Sequence, residues 1–353
     1  MAAAIALRQL HHSVMLVDCA LPPIDKACGE ALMPDSLSTL KELGISLPAG
    51  AGYPFRGIRF ASVQSSVTGA FPNGHALGIR RTILHNILRA RATELGVALH
   101  WGVKHVRLSG NSLEVSGRLL HPKLIVAADG QNSALRRAAG LSAIRREVRR
   151  YGFRRHFAIA PWSSYMELHW GRNSQLYITP VAEREIGVAL LSRNPKLRLP
   201  DELREFPEIR SRLSSAEPAS SEMGALTVSR TLKHVYKRGV VLVGDASGSV
   251  DAITGEGLGL SFRQAVALAN AWKSGDLELY ETAHSRFSRR PALMARLLLA
   301  MDRHAGFRQR TLASLATRPE IFSSLLAVHV GEMSFSNFCS SRLLPLGLAF
   351  LAA

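Results

Sequence analysis

Hydrophobic and polar positions along this chain switch between two periods, and the switches mark its elements. Met1–Leu10 is alanine-rich and apolar and reads as a helix, His11-His12-Ser13 as a turn, and Val14–Val17 as a short strand that ends in Asp18. After a proline-broken loop the pattern predicts a helix from about Pro34 to Leu43. Gly78–Gly96 reads as an amphipathic helix, with Ile83, Leu84, Ile87, Leu88 and Leu95 as its apolar stripe and Gly96 as its stop. Leu124–Ala128 and Val240–Val243 are unbroken apolar runs suited to strands buried on both faces, and each is followed by a helical pattern, the second from about Leu258 to Asn270. Between them, Ser164–Trp170 and Gln175–Ala189 alternate, which predicts antiparallel strands with one wet face. Pro291–Met301 and the tail Leu343–Ala353 are leucine-rich. The tail is shorter than the roughly 20 apolar residues that span a bilayer, so it is expected to dock as a terminal helix.

The two buried-strand runs stop at Asp129-Gly130 and Gly244-Asp245, where a parallel sheet presents its ligand edge. A carboxylate at Asp245 can accept from a sugar-like hydroxyl. Beyond it Gly255, Gly257 and Gly259 let backbone approach a ligand closely, and the following helix points its positive end there, suiting an anion or a ring that becomes anionic on reduction. A single such glycine would be read as relief of crowding in a βα turn. Ser133 is placed to cap the helix after Asp129. Arg80 and Arg81 begin the 78–96 helix, where the macrodipole disfavours cations, so the pair implies either an anionic partner or simple solvation.

In combination, GDASGSVDAITGEGLGLSFRQA and KLIVAADGQNSALRRAAGL resemble the GD and DG motifs of the p-hydroxybenzoate-hydroxylase-type flavoproteins. The resemblance implies an α/β chain: an FAD-binding Rossmann-like domain with a parallel, three-layer sheet, an inserted, mainly antiparallel substrate domain, and C-terminal helices. It also implies that Gly244 and Asp245 hold the ribityl chain, that Gly255, Gly257 and Leu258 lie beside the flavin ring, and that Asp129 and Gly130 meet the cofactor near the nicotinamide route. DKACGEALMP resembles the geranylgeranyl-reductase-like branch. There Lys26 would face phosphate or substrate, Gly29 would admit the ring, and Cys28 would line the pocket, unless it is a small buried core residue. Arg81 matches an arginine this family sets near FAD. QLYITP stands where the prenyl reductases carry a Tyr-x-Trp-x-Phe-Pro pattern, of which Tyr177, in place of the Trp, and Pro180 remain as pocket candidates. His156, Trp162, His169 and Trp170 are weaker pocket candidates, and no side chain is assigned as acid or base.

In dinucleotide folds the ribose-binding acid lies about 20 residues past the glycine fingerprint. With Asp18 in that role, the fingerprint falls at or before Met1, and AAAIALRQLHHSVMLVD resembles the continuation of a GxGxxG helix. The expectation for the chain as it stands is weak FAD retention, restored by upstream residues where these are encoded. The competing reading is a degenerate, flavin-free scaffold that acts through its basic surface.

Composition adjusts this picture in three places. At 353 residues and 47% hydrophobic, the chain has enough material for a large core. The expected division is a discontinuous FAD domain (1–145 and 236–285), a substrate domain (146–235, joined by part of 50–77), and C-terminal helices (286–353). The net charge of +17 gathers in runs such as Arg145-Arg146, Arg149-Arg150, Arg154-Arg155 and Arg289-Arg290 without interleaved aromatics, which disfavours nucleic-acid binding. Anionic cofactors, or a peripheral membrane contact through the leucine-rich helices and their arginines, remain open. Three scattered cysteines exclude a disulfide framework, imply no metal, and point to a cytoplasmic protein. The function expected is that of an FAD-dependent oxidoreductase, its flavin reduced by NAD(P)H and then used for monooxygenation or double-bond reduction of a hydrophobic or aromatic small molecule.

Overall fold

Two pairs of short parallel strands and one broad antiparallel sheet organise the computed structural model, which describes residues 1–352. Met15–Val17 pairs with Ala98–His100 in parallel, and Ile125–Ala127 pairs with Val240–Leu242 in the same sense. Parallel strands need crossovers, and here the first is the Arg81–Glu94 helix, whose Leu84 and Leu88 are buried. Ile83 of the expected stripe faces solvent instead. The helix begins at Arg81, so Ile83 lies in its first turn, and the buried arc falls on Leu84, His85, Leu88 and Ala92.

The opening helix, Ala2–Gln9, buries Ala4, Ile5, Ala6 and Leu7 in one core with Leu40, Leu84, Phe262 and Ala269. Phe262 and Ala269 belong to the long helix Gly257–Ser274, which ends on Gly275 in the left-handed conformation. Pro34–Glu42 also packs there: a Cβ on Gly259 would collide with Ser36 Oγ, so this glycine lets the two helices touch. A second core beneath Ile125, Val241 and Leu242 is closed by Tyr280, whose hydroxyl donates to the Leu242 carbonyl at 2.6 Å.

The broad sheet is built on Ile144–Ala158, which pairs antiparallel with Glu185–Ser192 and Met223–Leu232. Ser174–Ala182 and Met166–Trp170 extend it, and Gly57–Ala61 joins it in parallel. The strands at 174–182 and 185–192 are buried on both faces, which corrects the expectation of one wet face. Tertiary cover is the reason. Leu176, Ile178, Val188 and Leu190 pack under the small helices Leu199–Glu202 and Pro207–Leu213. Leu168, Trp170, Tyr177 and Leu191 on the other face join a core with Ile253 and the C-terminal helices Glu278–Arg303, Ala305–Thr317 and Pro319–His329.

The last helix, Phe335–Ala352, docks through Phe338 and leaves Leu343, Leu344 and Leu348 exposed. Among the described residues no helix is long and apolar enough to cross a membrane.

Gly78 tests how tightly the sheets meet. An added Cβ there would overlap the backbone carbonyl oxygen of Pro180, which no rotamer change relieves. Gly78→Ala is expected to lower unfolding free energy by about 1–3 kcal/mol, measured by urea denaturation. Gly306→Ala, in the Ala305–Thr317 helix with open space where its Cβ would stand, serves as the comparison.

Candidate active site

The loops at the ends of the parallel strands converge with one face of the broad sheet. Gly244 leaves the Val240–Leu242 strand at φ +58°, a conformation open to glycine at little cost, and its N–H donates to Gln264 Oε1 at 2.6 Å. This turns Asp245 toward Lys26, and the two form a 2.9 Å ion pair from segments 219 residues apart. Lys26, Arg81 and Glu30 all lie within Coulombic reach of the half-buried Cys28 thiol. Burial pushes that thiol up, against the pull of Arg81, so it stays protonated. Asp18 and Arg81 likewise both act on His85, which places the end of the first strand beside the arginine helix.

Beyond the Gly244-Asp245 turn, the Gly257–Ser274 helix has no side-chain cap at its N-terminus. Its first N–H groups therefore await an acceptor. Gly257 and Gly29 have open space where a Cβ would stand, and Gly255, at φ +68°, lies against Met33 just past the 28–30 turn. Tyr177, whose phenol burial raises far above its usual range, donates to the Ile253 carbonyl at 2.8 Å and holds this loop to the sheet. Leu258 packs into the core of the opening helix, and Pro180 seats Gly78. Asp129 is placed differently. Its exposed carboxylate accepts from Ser133 Oγ and, at 3.1 Å, from Leu135 N–H and so anchors the start of the helix Ala134–Ala138, while Gly130 supplies the turn at φ +79°. Ser133 caps that helix by accepting from Arg136 N–H at 2.9 Å.

The strongest polar constellation of the site was not assigned from the sequence. Glu30 is 1% exposed and holds φ +58°, a costly conformation for a residue with a side chain. Its Oε1 accepts from the Arg81 N–H at 2.7 Å, and its Oε2 lies 2.5 Å from Nε2 of the wholly buried His156. His156 Nδ1 faces an Arg154 guanidinium nitrogen at 2.9 Å and Ser220 Oγ at 2.8 Å. Because a guanidinium can only donate, Nδ1 accepts, and Nε2 carries the proton given to Glu30. Arg154 is balanced by Asp25 at 2.6 Å. Further along the same strand face, Arg150 pairs with Asp251 at 3.1 Å and bonds Gln175, which in turn bonds Asp302.

The only sequence sign of Glu30 is a carboxylate opening the apolar run Ala31-Leu32-Met33. Of the four weaker pocket candidates, His156 alone reaches this constellation. Trp170 is in the core beneath the C-terminal helices, and Trp162 and His169 lie on the opposite face, beside Arg212 and Phe206.

These parts fit a long dinucleotide. Asp245 and Lys26 pair beyond the end of the Val240–Leu242 strand, Gly29 and Gly257 present open backbone, and Arg81 and Asp18 both act on His85 at the end of the first strand. The parallel strand pairs, the inserted antiparallel sheet and the strand-end DG and GD motifs define the FAD-dependent oxidoreductase fold of the p-hydroxybenzoate-hydroxylase type. No family model matches the chain. Among proteins of known function it is 24% identical, over 312 residues, to a menaquinone reductase of Mycolicibacterium smegmatis, covering 80% of this chain and 76% of that protein. The structure superposes on a flavoprotein/dehydrogenase from Cytophaga hutchinsonii with TM-score 0.82 and 17% identity, over 99% of this chain and 95% of the other. A geranylgeranyl bacteriochlorophyll reductase-like protein from Thermoplasma acidophilum gives TM-score 0.73 at 17% identity, over 98% and 96%.

Two outcomes are expected here. Asp245→Ala should weaken flavin binding about 10- to 100-fold, the value of a hydrogen bond to a charged group, in a fluorescence titration. Because its ion pair is solvent-exposed, the fold should lose less than about 1 kcal/mol. The second concerns His284, which donates to Ser247 Oγ at 2.9 Å behind the GD turn and which burial lowers from 6.5 to about 4, with Glu281 opposing. A lowered histidine stabilises the fold fully above its unfolded value of 6.5, and this contribution is lost as pH falls toward 4. Unfolding free energy should therefore drop by about 2 kcal/mol between pH 7 and pH 5 on this account, and His284→Gln should remove that part of the slope.

Proposed function

We propose that the protein is an FAD-dependent reductase of an apolar, unsaturated small molecule, with NAD(P)H as the source of electrons. One observation carries the choice: the turn Cys28-Gly29-Glu30 is backed by a buried, hydrogen-bonded acid and imidazole, Glu30 and His156, on a sheet face where Arg150, Arg154, Gln175 and Thr179 are buried as well. The relative named menaquinone reductase, matched over 76% of its length, supports an apolar quinone-like substrate.

When bound, the flavin supplies hydride chemistry, and the chain supplies position, dryness and a proton. Asp245 and Lys26 fix the ribityl side. The uncapped helix start at Gly257 stabilises negative charge on a reduced ring. Tyr177 holds the ring-side loop to the sheet, and the core of Ile253, Leu168 and Leu191 excludes water behind it. His156 holds a proton at Nε2 against Glu30, and Ser220 at its other nitrogen leads toward solvent.

Two chemistries on this fold differ in the product. Purified holoprotein is reduced anaerobically with NADPH and mixed with a prenylated quinone such as menaquinone, with and without oxygen. The expected product is two hydrogens heavier and forms without oxygen. A product one oxygen heavier, formed only in air, would overturn the reductase reading in favour of monooxygenation.

A further inference from the structure

Outside the constellation just described, the structure has a cleft of about 560 Å³ between the Pro34–Glu42 helix, the Glu278–Arg303 helix and the turn at Val330–Glu332. Its volume lies in the range of small-molecule sites. The chemistry of its wall is cationic. Arg263, Arg286 and Arg290 converge on it from two helices, with the hydroxyl of Ser38 and the ring of Phe287 beside them.

The carboxylates in the cleft are largely committed. Asp35 Oδ2 takes both Arg263 and, at 2.9 Å, Arg290, and Glu332 bonds the Asn73 amide at 3.0 Å. Arg290 also lies 3.4 Å from Glu256, the residue before the ring-side helix. The Nε atoms of Arg263 and Arg290 are buried away from the open cleft, so what these two residues offer a ligand is the charge of their guanidinium groups. Arg286 has no carboxylate within ion-pair distance among the described residues. Its guanidinium stands 5.7 Å from the centre of the Phe287 ring.

An aromatic ring beside a guanidinium free of any carboxylate, with Arg263 and Arg290 adding positive charge, matches a ligand with a planar base and a doubly charged phosphate. A phosphate monoester brings three acceptor oxygens and about two negative charges, enough to engage Arg286 and to compete with Asp35 for its two guanidinium partners. Through Arg290 and Glu256 the cleft is wired to the start of the helix that faces the ring, which sets it beside the redox site.

We propose that this cleft binds the phosphate-bearing adenosine end of the reductant, so that the chain uses a nicotinamide dinucleotide carrying a ribose phosphate in preference to one without. The proposal rests on the reductant assigned above. The binding measurements of its test are independent of turnover, and therefore fail or succeed separately from that reading. Affinities of the purified chain for 2′,5′-ADP, 5′-AMP and inorganic pyrophosphate are measured by calorimetry, together with KM and kcat for both dinucleotides.

Wild type should bind 2′,5′-ADP at least about tenfold more tightly than 5′-AMP, the effect of added charge-assisted hydrogen bonds. Arg286→Ala should abolish that preference and raise KM for NADPH with little change in kcat, and Arg286→Lys should restore part of it. Because Arg286 is exposed and without a carboxylate partner, its variants should keep the wild-type melting temperature and flavin affinity. Equal affinities for the two nucleotides in wild type, or a preference untouched by Arg286→Ala, would overturn the proposal. Arg286-dependent binding of pyrophosphate alone would also overturn it, and would make the cleft a site for free phosphates. If NADPH is never oxidised but the Arg286-dependent preference holds, the cleft assignment stands and the redox reading falls.

Discussion

Two guanidinium groups on one sheet face set the terms for the rest of the active site. Arg150 and Arg154 are 1% and 2% exposed, and a buried cation without a partner costs several kcal/mol. Each is matched by a carboxylate from a distant segment: Asp251 precedes the ring-side loop, and Asp25 precedes the Cys28-Gly29 turn. Charge neutrality therefore closes both loops over the sheet.

This arrangement explains why the site tolerates strain. Glu30 sits in a left-handed conformation because four contacts over-determine it: its carbonyl accepts from Ile79, its carboxylate from Arg81 and His156, and its neighbour Gly29 accepts from Thr179. One carboxylate thus satisfies an orphan N–H at the start of the arginine helix and fixes the tautomer of a buried imidazole. Structure and chemistry share the same oxygens. The cationic excess of the sequence divides accordingly, part into these buried pairs and part into the cleft around Arg286 and Arg290.

Several elements were legible in advance because their causes are local. Apolar runs ending in Asp-Gly and Gly-Asp gave strands Ile125–Ala127 and Val240–Leu242, and spacing gave helices Ala2–Gln9, Pro34–Glu42 and Gly257–Ser274 within a few residues. The ion pair of Lys26 with Asp245 joins segments 219 residues apart and has no local cause. Alternation misled at Ser174–Ala182, since period two shows that a strand has two faces and says nothing of what covers the second.

By itself, then, the sequence determined the elements, the order of the motifs and the fold they belong to, because periodicity, glycine conformation and strand-end chemistry act over a few residues. Only the tertiary structure decided that Glu30 meets His156 across 126 positions, that Asp129 turns back to its own helix, and that Arg286 is left free while Arg290 is not. Pairing of buried charge depends on which strands become neighbours, and that is settled by packing over the whole chain rather than by any stretch of it.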